Sequence, residues 1–306
     1  MVLCVGEILA DMIGSEKDGQ FVYERKAGGA PFNVACGIAN LGAKASFAGS
    51  VGNDLIGEFL IGFAKKRGLE NLHIDKRTEE NTTLAFVQLD NCGERSFCFY
   101  RKNTADYKLP RLSDEVLQKA DIVHIGSLML SENEGYKYAL RLAKRAKALK
   151  KIVSFDVNFR SDIFKDESAA KERYKKLLEI ADVIKFSEEE IDIFGEEYIK
   201  EKLFDKLLCI SLGGNGSEWR FNGKSGRVNS IKVNPVDTTG AGDAFFAGVL
   251  SGLDGTVKSR WTDEFLNEVF LKANVCGALT TLKKGAIDGL PDVSQVEDAL
   301  KELKSN

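Results

Sequence analysis

Short, almost wholly apolar runs recur along this 306-residue chain, at 3–5, 45–48, 122–125, 152–155, 183–186 and 208–211. Longer stretches of helical spacing lie between them, among them 32–41, 54–66, 133–149 and 169–181. A strand that is apolar on both faces must be covered on both faces, and a helix between successive strands makes them parallel. The alternation therefore predicts a three-layer α/β/α fold with a mostly parallel central sheet. No internal repeat, low-complexity segment or linker interrupts it, so residues 1–306 are read as one domain.

Two segments break the rhythm. Residues 11–27 and 82–101 alternate apolar and polar positions with a period of two, as half-exposed strands do. Asp90-Asn-Cys-Gly-Glu94 supplies turn chemistry inside the second, which makes it a hairpin. Strands of this kind, drawn from about 11–30 and 82–103, predict a small β lid over the carboxyl edge of the sheet. Phe97 and Phe99 share one face of the hairpin. They are expected to bury either within one subunit or between the lids of two, which would make a homodimer through the lid.

Composition excludes several classes. The net charge of −3 and the lack of a long basic run argue against a nucleic-acid partner. The basic stretch 141–151 reads as a solvated helix face. No apolar run approaches the ~20 residues of a membrane span. The first residues, Met1-Val-Leu-Cys-Val, read as a buried strand and not a secretory leader, so a cytoplasmic location is expected. The six cysteines are scattered without a Cys-x-x-Cys, and only two histidines occur, which suits reduced buried thiols and disfavours zinc.

The residues that carry chemistry cluster after the predicted strands. Residues 237–246, Asp-Thr-Thr-Gly-Ala-Gly-Asp-Ala-Phe-Phe, set Asp243 behind a glycine turn at the start of an apolar helix. Gly240, Ala241 and Gly242 let several backbone N–H groups converge at a helix N-terminus, where an anion is stabilised. A carboxylate beside that spot can take a proton from a hydroxyl. Alone, the same residues also fit an ordinary strand-to-helix turn. A second glycine pair, Gly28-Gly29, precedes Pro31 and Asn33 at another helix start, and its mix of backbone and amide groups suits a polyhydroxylated ligand. Asp11 follows the first strand and can accept sugar hydroxyls.

Asp156-Val-Asn-Phe-Arg160 follows a core strand, and Arg101 ends the lid hairpin. Either guanidinium could neutralise a phosphoryl group or an acidic substrate. Ser187 and Glu190 form a capping-box pattern, with a magnesium-organising role for Glu190 as the functional reading. Ser211-Leu-Gly-Gly-Asn-Gly-Ser217 resembles a phosphate-approaching glycine loop, though it is no P-loop. Asn222-Gly-Lys-Ser225 is read as a hairpin turn, and no dinucleotide fingerprint follows the first strand.

Together the segments resemble the ribokinase-like (phosphofructokinase B) carbohydrate kinases, through Gly28-Gly-Ala-Pro-Phe-Asn-Val-Ala and Asp237-Thr-Thr-Gly-Ala-Gly-Asp-Ala-Phe. Gly28–Pro31, Phe99-Tyr-Arg with Ala105-Asp106, and Ala273-Asn-Val-Cys-Gly-Ala-Leu-Thr with Lys284-Gly-Ala-Ile are most similar to fructokinases. The resemblance implies ATP-dependent phosphorylation of a sugar primary hydroxyl. It makes Asp243 the general base and Gly240–Gly242 the anion hole. Asp11, Gly28, Gly29, Asn33, Arg101 and Arg160 become sugar-binding, and Lys185, Ser187, Ser211, Gly213, Gly216 and Asn274 line the ATP site. It also implies Mg2+ organised through water by Glu190, and a monovalent cation, K+, held by Asp237, Thr239 and Gly285. Serine at 187 departs from the asparagine of that family's pattern. A 2-keto-3-deoxygluconate kinase, with Tyr100, Arg101 and Arg160 clamping a carboxylate, is the alternative within the family. A non-catalytic sugar sensor is the alternative outside it.

Overall fold

The computed structural model describes residues 1–89, 95–164 and 166–305. In chain order the strands are β1 (Val2–Val5), β2 (Leu9–Lys17), β3 (Gln20–Gly28), β4 (Ala45–Gly52), β5 (Asn71–Arg77), β6 (Leu84–Leu89), β7 (Arg95–Tyr100), β8 (Ile122–Ile125), β9 (Ile152–Asp156), β10 (Val183–Ser187), β11 (Leu207–Ser211), β12 (Ser217–Phe221) and β13 (Lys224–Val228). The helices are α1 (Ala30–Asn40), α2 (Leu55–Ala64), α3 (Asp114–Lys119), α4 (Asn133–Ala148), α5 (Glu167–Leu178), α6 (Glu188–Phe194), α7 (Glu196–Lys202), α8 (Ala241–Leu253), α9 (Asp263–Thr280) and α10 (Val293–Ser305).

All six apolar runs become parallel strands of one sheet, which among the described residues has nine strands in the order β13-β12-β11-β10-β9-β8-β1-β4-β5. Their period of two divides the core. Val2 and Cys4 of β1 pack into a cluster with α1, α8 and α9, whereas Leu3 and Val5 join α4 and α5 on the other face. The chain leaves β1 toward β4 and β5 on one side and toward β8 through β11 on the other. Such a switch point opens a crevice at the carboxyl ends of the strands, which is where the site residues gather. The antiparallel β12–β13 pair turns at Asn222-Gly223, both at positive φ, as the turn chemistry predicted.

The lid forms a separate four-stranded sheet, β3-β2-β6-β7. Its first hairpin turns on Asp18-Gly19, at φ 52° and 73°, a two-residue turn whose twist matches the strands. Residues 90–94, the expected turn of the second hairpin, lie outside the described residues, as does the side chain of Phe97. Phe99 packs against Leu9, Ala85 and Leu128 of its own subunit, so it belongs to the inner face of the lid. The opposite face carries Phe21, Tyr23, Phe86 and Tyr100 in a chain of ring contacts 5.0–5.2 Å apart. Phe21, Tyr23 and Tyr100 remain exposed there.

Cys4, Cys36, Cys209 and Cys276 are buried free thiols and Cys98 an exposed one; Cys92 lies outside the described residues. Among the described residues no helix is long and apolar enough to cross a membrane.

Candidate active site

The predicted catalytic turn sits at the amino end of α8. Gly240 caps that helix at φ 78°, and a Cβ there would stand 2.6 Å from the Cβ of Ala286. No other residue fits without moving backbone. Asp243, in the first turn, accepts a hydrogen bond from Asn33 Nδ2 at 2.8 Å, so the two glycine motifs, 210 residues apart, meet at one carboxylate. Burial raises its pKa to about 6, and Asp156 adds to the rise. Asn33, Lys185 and Arg160 oppose it. A carboxylate poised near neutrality, held by one amide and facing a cleft, is equipped to receive a proton from an alcohol.

That cleft, about 340 Å³, is lined by Asp11, Gly29, Asn33, Asn158, Arg160 and Lys185, with residues of the 238–243 turn. Gly28 lies directly beneath Asp11: a Cβ there would be 2.1 Å from Asp11 Oδ2. Gly29, at φ 110°, is pressed against the Glu7 carbonyl, where a Cβ would approach to 2.5 Å. Lys185 of β10 donates to both oxygens of Asp156 of β9, at 2.8 and 3.1 Å, and both groups are buried. Burial pulls the lysine pKa down, but Asp156 and Glu190 outweigh it and hold the ammonium charged. The paired charge lies beneath Gly242, where a Cβ would stand 3.5 Å from Lys185 Nζ.

A second cavity of about 550 Å³ adjoins the first and shares Thr238 and Gly242 with it. Ser211, Gly213, Gly216, Ala241 and Asn274 line it, as do the small residues Gly214, Gly277 and Ala278. Gly216 sits at φ 93° with the Val228 carbonyl where its Cβ would be. Asn274 Nδ2 donates to the carbonyls of Val228 and Asn229 at 2.8 and 3.3 Å, fixing the chain that walls the cavity. Two cavities joined at a glycine-built helix N-terminus can hold a phosphoryl donor and its acceptor on opposite sides of one anion site.

Three predicted residues take other places. Arg101 is not a cleft residue: its guanidinium holds the buried Asp106 through Nε at 2.8 Å and Nη2 at 2.5 Å, with Nη1 on Ser131 Oγ at 2.6 Å. A strong buried pair leaves that charge committed. Lys185, predicted for the nucleotide side, lines the cleft of Asp11, Asn33 and Asp243. Ser187 lines neither cavity but caps α6, accepting from Glu190 N at 3.3 Å while Glu190 Oε2 accepts from Ser187 N at 2.7 Å. Glu190 Oε1 accepts from Phe159 N at 2.6 Å, so both its oxygens organise backbone. Asp237 gathers the expected cation positions: its carboxylate accepts the N–H groups of Thr239 at 2.8 Å and Gly285 at 2.9 Å.

Spacing alone gave Glu7 no role and Asn158, at a positive φ of 34°, no distinct one, and of the two burials expected for Phe99 the structure takes the one within the subunit, where the ring also lines the cleft. Glu7 had a signal, a carboxyl two residues past the first strand at the switch point. Phe99 and Asn158 depend on lid and loop geometry that no spacing encodes.

Comparison with known proteins agrees with this geometry. The model of the pfkB family of carbohydrate kinases matches residues 1–293. The chain is 37% identical to the Arabidopsis thaliana protein named Probable fructokinase-7 over 321 aligned residues, covering 100% of this chain and 94% of the relative. It superposes on the Xylella fastidiosa fructokinase solved with ATP at a TM-score of 0.92, with 30% identity over 99% of this chain and 98% of that one. The fructokinase of Vibrio cholerae, solved with fructose, ADP and calcium, gives a TM-score of 0.85 and 30% identity, covering 97% of each chain.

Proposed function

The chain belongs to the pfkB family of carbohydrate kinases, and from that premise we propose that it is an ATP-dependent fructokinase making fructose 6-phosphate from D-fructose. The observation that carries the reading is the place of Asp243, in the first cleft, next in sequence to the Gly242 that both cavities share, and hydrogen-bonded to Asn33. The sugar occupies the cleft of Asp11, Gly29 and Asn33, with its primary hydroxyl at Asp243. Asp243 takes the hydroxyl proton as the oxygen attacks the γ-phosphorus of ATP. The N–H groups of Gly240–Gly242 hold the charge that spreads over the phosphoryl oxygens. Arg160 and Lys185 add positive charge on the acceptor side, and ADP leaves from the cavity beside Gly213, Gly216 and Asn274.

Magnesium, when bound, neutralises charge on the donor phosphates. Both Glu190 oxygens already accept backbone N–H groups, which suits a role through water and not direct ligation. Asp237 would hold K+ with the Thr239 carbonyl and the backbone at Gly285, bracing the anion-hole turn from behind. The acid-sugar alternative needs Tyr100 and Arg101 beside Arg160, yet Tyr100 is 62% exposed on the outer face and Arg101 is committed to Asp106. We further place the enzyme in the cytoplasm as a single kinase domain, dimeric through the exposed aromatic face of its lid. Measuring ATP turnover against fructose, 2-keto-3-deoxygluconate and ribose tests the assignment. Fructose is expected to be preferred, and a strong preference for the acid would overturn it.

A further inference from the structure

One carboxyl of the acceptor cleft has no part in that chemistry. Glu7 follows β1 at the switch point of the sheet, lines the cleft and is only 3% exposed. Its Oε1 accepts the N–H of Ala30 at 3.2 Å, in the first turn of α1, three residues ahead of Asn33. Its Oε2 is sealed from solvent and has no hydrogen-bond partner among the described residues. That oxygen occupies a slot beside Gly126, where a Cβ would come within 2.9 Å of it, and Pro31 of α1 closes the same slot at 2.8 Å from that position.

The groups facing Glu7 are mostly acidic. Asp243 approaches from α8, Asp106 from the turn after β7 and the Tyr174 phenol from α5, while the cation Arg101 is already bound to Asp106. A charge on Oε2 would be buried without a hydrogen-bond donor at that oxygen and would feel the repulsion of two other carboxylates, a costly arrangement for an ion. Burial first, with Asp106 and Asp243 adding to it, outweighs the residue's own backbone N–H and the Arg101 charge and pushes the pKa up to about 8.

We propose that Glu7 is a positioning residue of the acceptor site that works as the neutral acid, fixing the first turn of α1 through Ala30 and so setting Asn33 against Asp243. Once ionised, Oε2 must find water, and the turn that seals it has to move. Asn33 then leaves its place and the acceptor binds less well, with the nucleotide cavity untouched. The inference rests on the kinase reading for its activity arm only.

The test compares wild type with Glu7→Gln and Glu7→Ala. Wild-type kcat/KM for fructose should fall as pH rises past about 8. Glu7→Gln, neutral at every pH, should lose that alkaline fall. Glu7→Ala should raise the fructose KM by about tenfold or more at neutral pH with the ATP KM unchanged, and glutamine should restore it. An alkaline fall that persists in Glu7→Gln, or a fructose KM unmoved in Glu7→Ala, overturns the proposal. Thermal stability gives a second arm, needed if the alanine variant fails to fold or if wild type does not turn over fructose. Folded wild type keeps a proton that the unfolded chain releases, so its stability should fall relative to Glu7→Gln between pH 4.5 and about 8. A difference that stays flat across that interval overturns the proposal, while absence of fructose turnover refutes only the substrate assignment.

Discussion

The cavities proposed for the acceptor and for the nucleotide share Thr238 and Gly242 but are made of different materials. The cleft is built from charged and amide side chains, Glu7, Asp11, Asn33, Arg160, Lys185 and Asp243, brought together from distant parts of the chain. The cavity beside it has one charged side chain in its lining, Lys232, among glycines, Ala241, Ala278 and Phe245, and of its two amides, Asn234 and Asn274, the second is turned to backbone carbonyls. One region recognises by converging charges and the other by shape and backbone. Chemistry and sugar affinity should therefore respond to single side-chain changes, and nucleotide affinity chiefly to added bulk.

The largest effect is expected at the cleft's reacting carboxylate. Asp243→Asn keeps the size of the side chain and removes the base, so kcat should fall by about 10²–10⁴-fold. Fructose binding, followed by calorimetry, should survive it. A loss of binding equal to the loss of rate would make Asp243 a ligand and not a base. Gly240→Ala comes next. It forces a Cβ at φ 78° into the backbone and side chain of Ala286, displacing the turn proposed as the anion hole, which borders both regions. A fall in kcat of roughly 10²–10³-fold is expected, the scale of a lost oxyanion donor. If kcat holds while only the ATP KM rises, the turn belongs to the nucleotide side alone.

The contrast also explains what the sequence made legible. All six core strands were readable because a parallel strand buried on both faces must be apolar along its whole length. The two glycine turns were readable because glycine there is forced, by the Ala286 contact at Gly240 and the Glu7 carbonyl at Gly29. Arg101 was misplaced because a guanidinium's partner is not written in its own neighbourhood, even with Asp106 only five residues on. Ser187 was read both ways, and its cap to Glu190 is local enough to be seen in spacing. Glu7 carried only the signal of a carboxyl two residues past β1; the sealed slot made by Gly126 and Pro31, which gives it significance, is a tertiary fact.

A smaller effect separates the regions by pH. Asp243 keeps its proton up to about pH 6, well above an ordinary aspartate, and only the deprotonated form can act as base. Below that value kcat should drop about tenfold per pH unit, since the competent fraction does. Nucleotide affinity, measured through the same range with a non-hydrolysable ATP analogue, should change little by comparison. An acid fall centred near the ordinary aspartate value would mean that Asp156 and burial do not perturb Asp243.

The smallest effect belongs to the nucleotide cavity. Gly214 lines it, yet nothing lies within 4 Å of where a Cβ would stand, and its φ is not in the left-handed region. Gly214→Val therefore adds bulk to the cavity without straining the loop, unlike a change at Gly213 (φ 56°) or Gly216 (φ 93°). The ATP KM should rise by a few-fold, on the order of 1 kcal/mol or less, with the fructose KM and kcat unchanged. A matching fall in kcat would mean that bulk on the donor side reaches the phosphoryl group itself. Shape and charge would then have to be treated as one site, joined through Thr238 and Gly242.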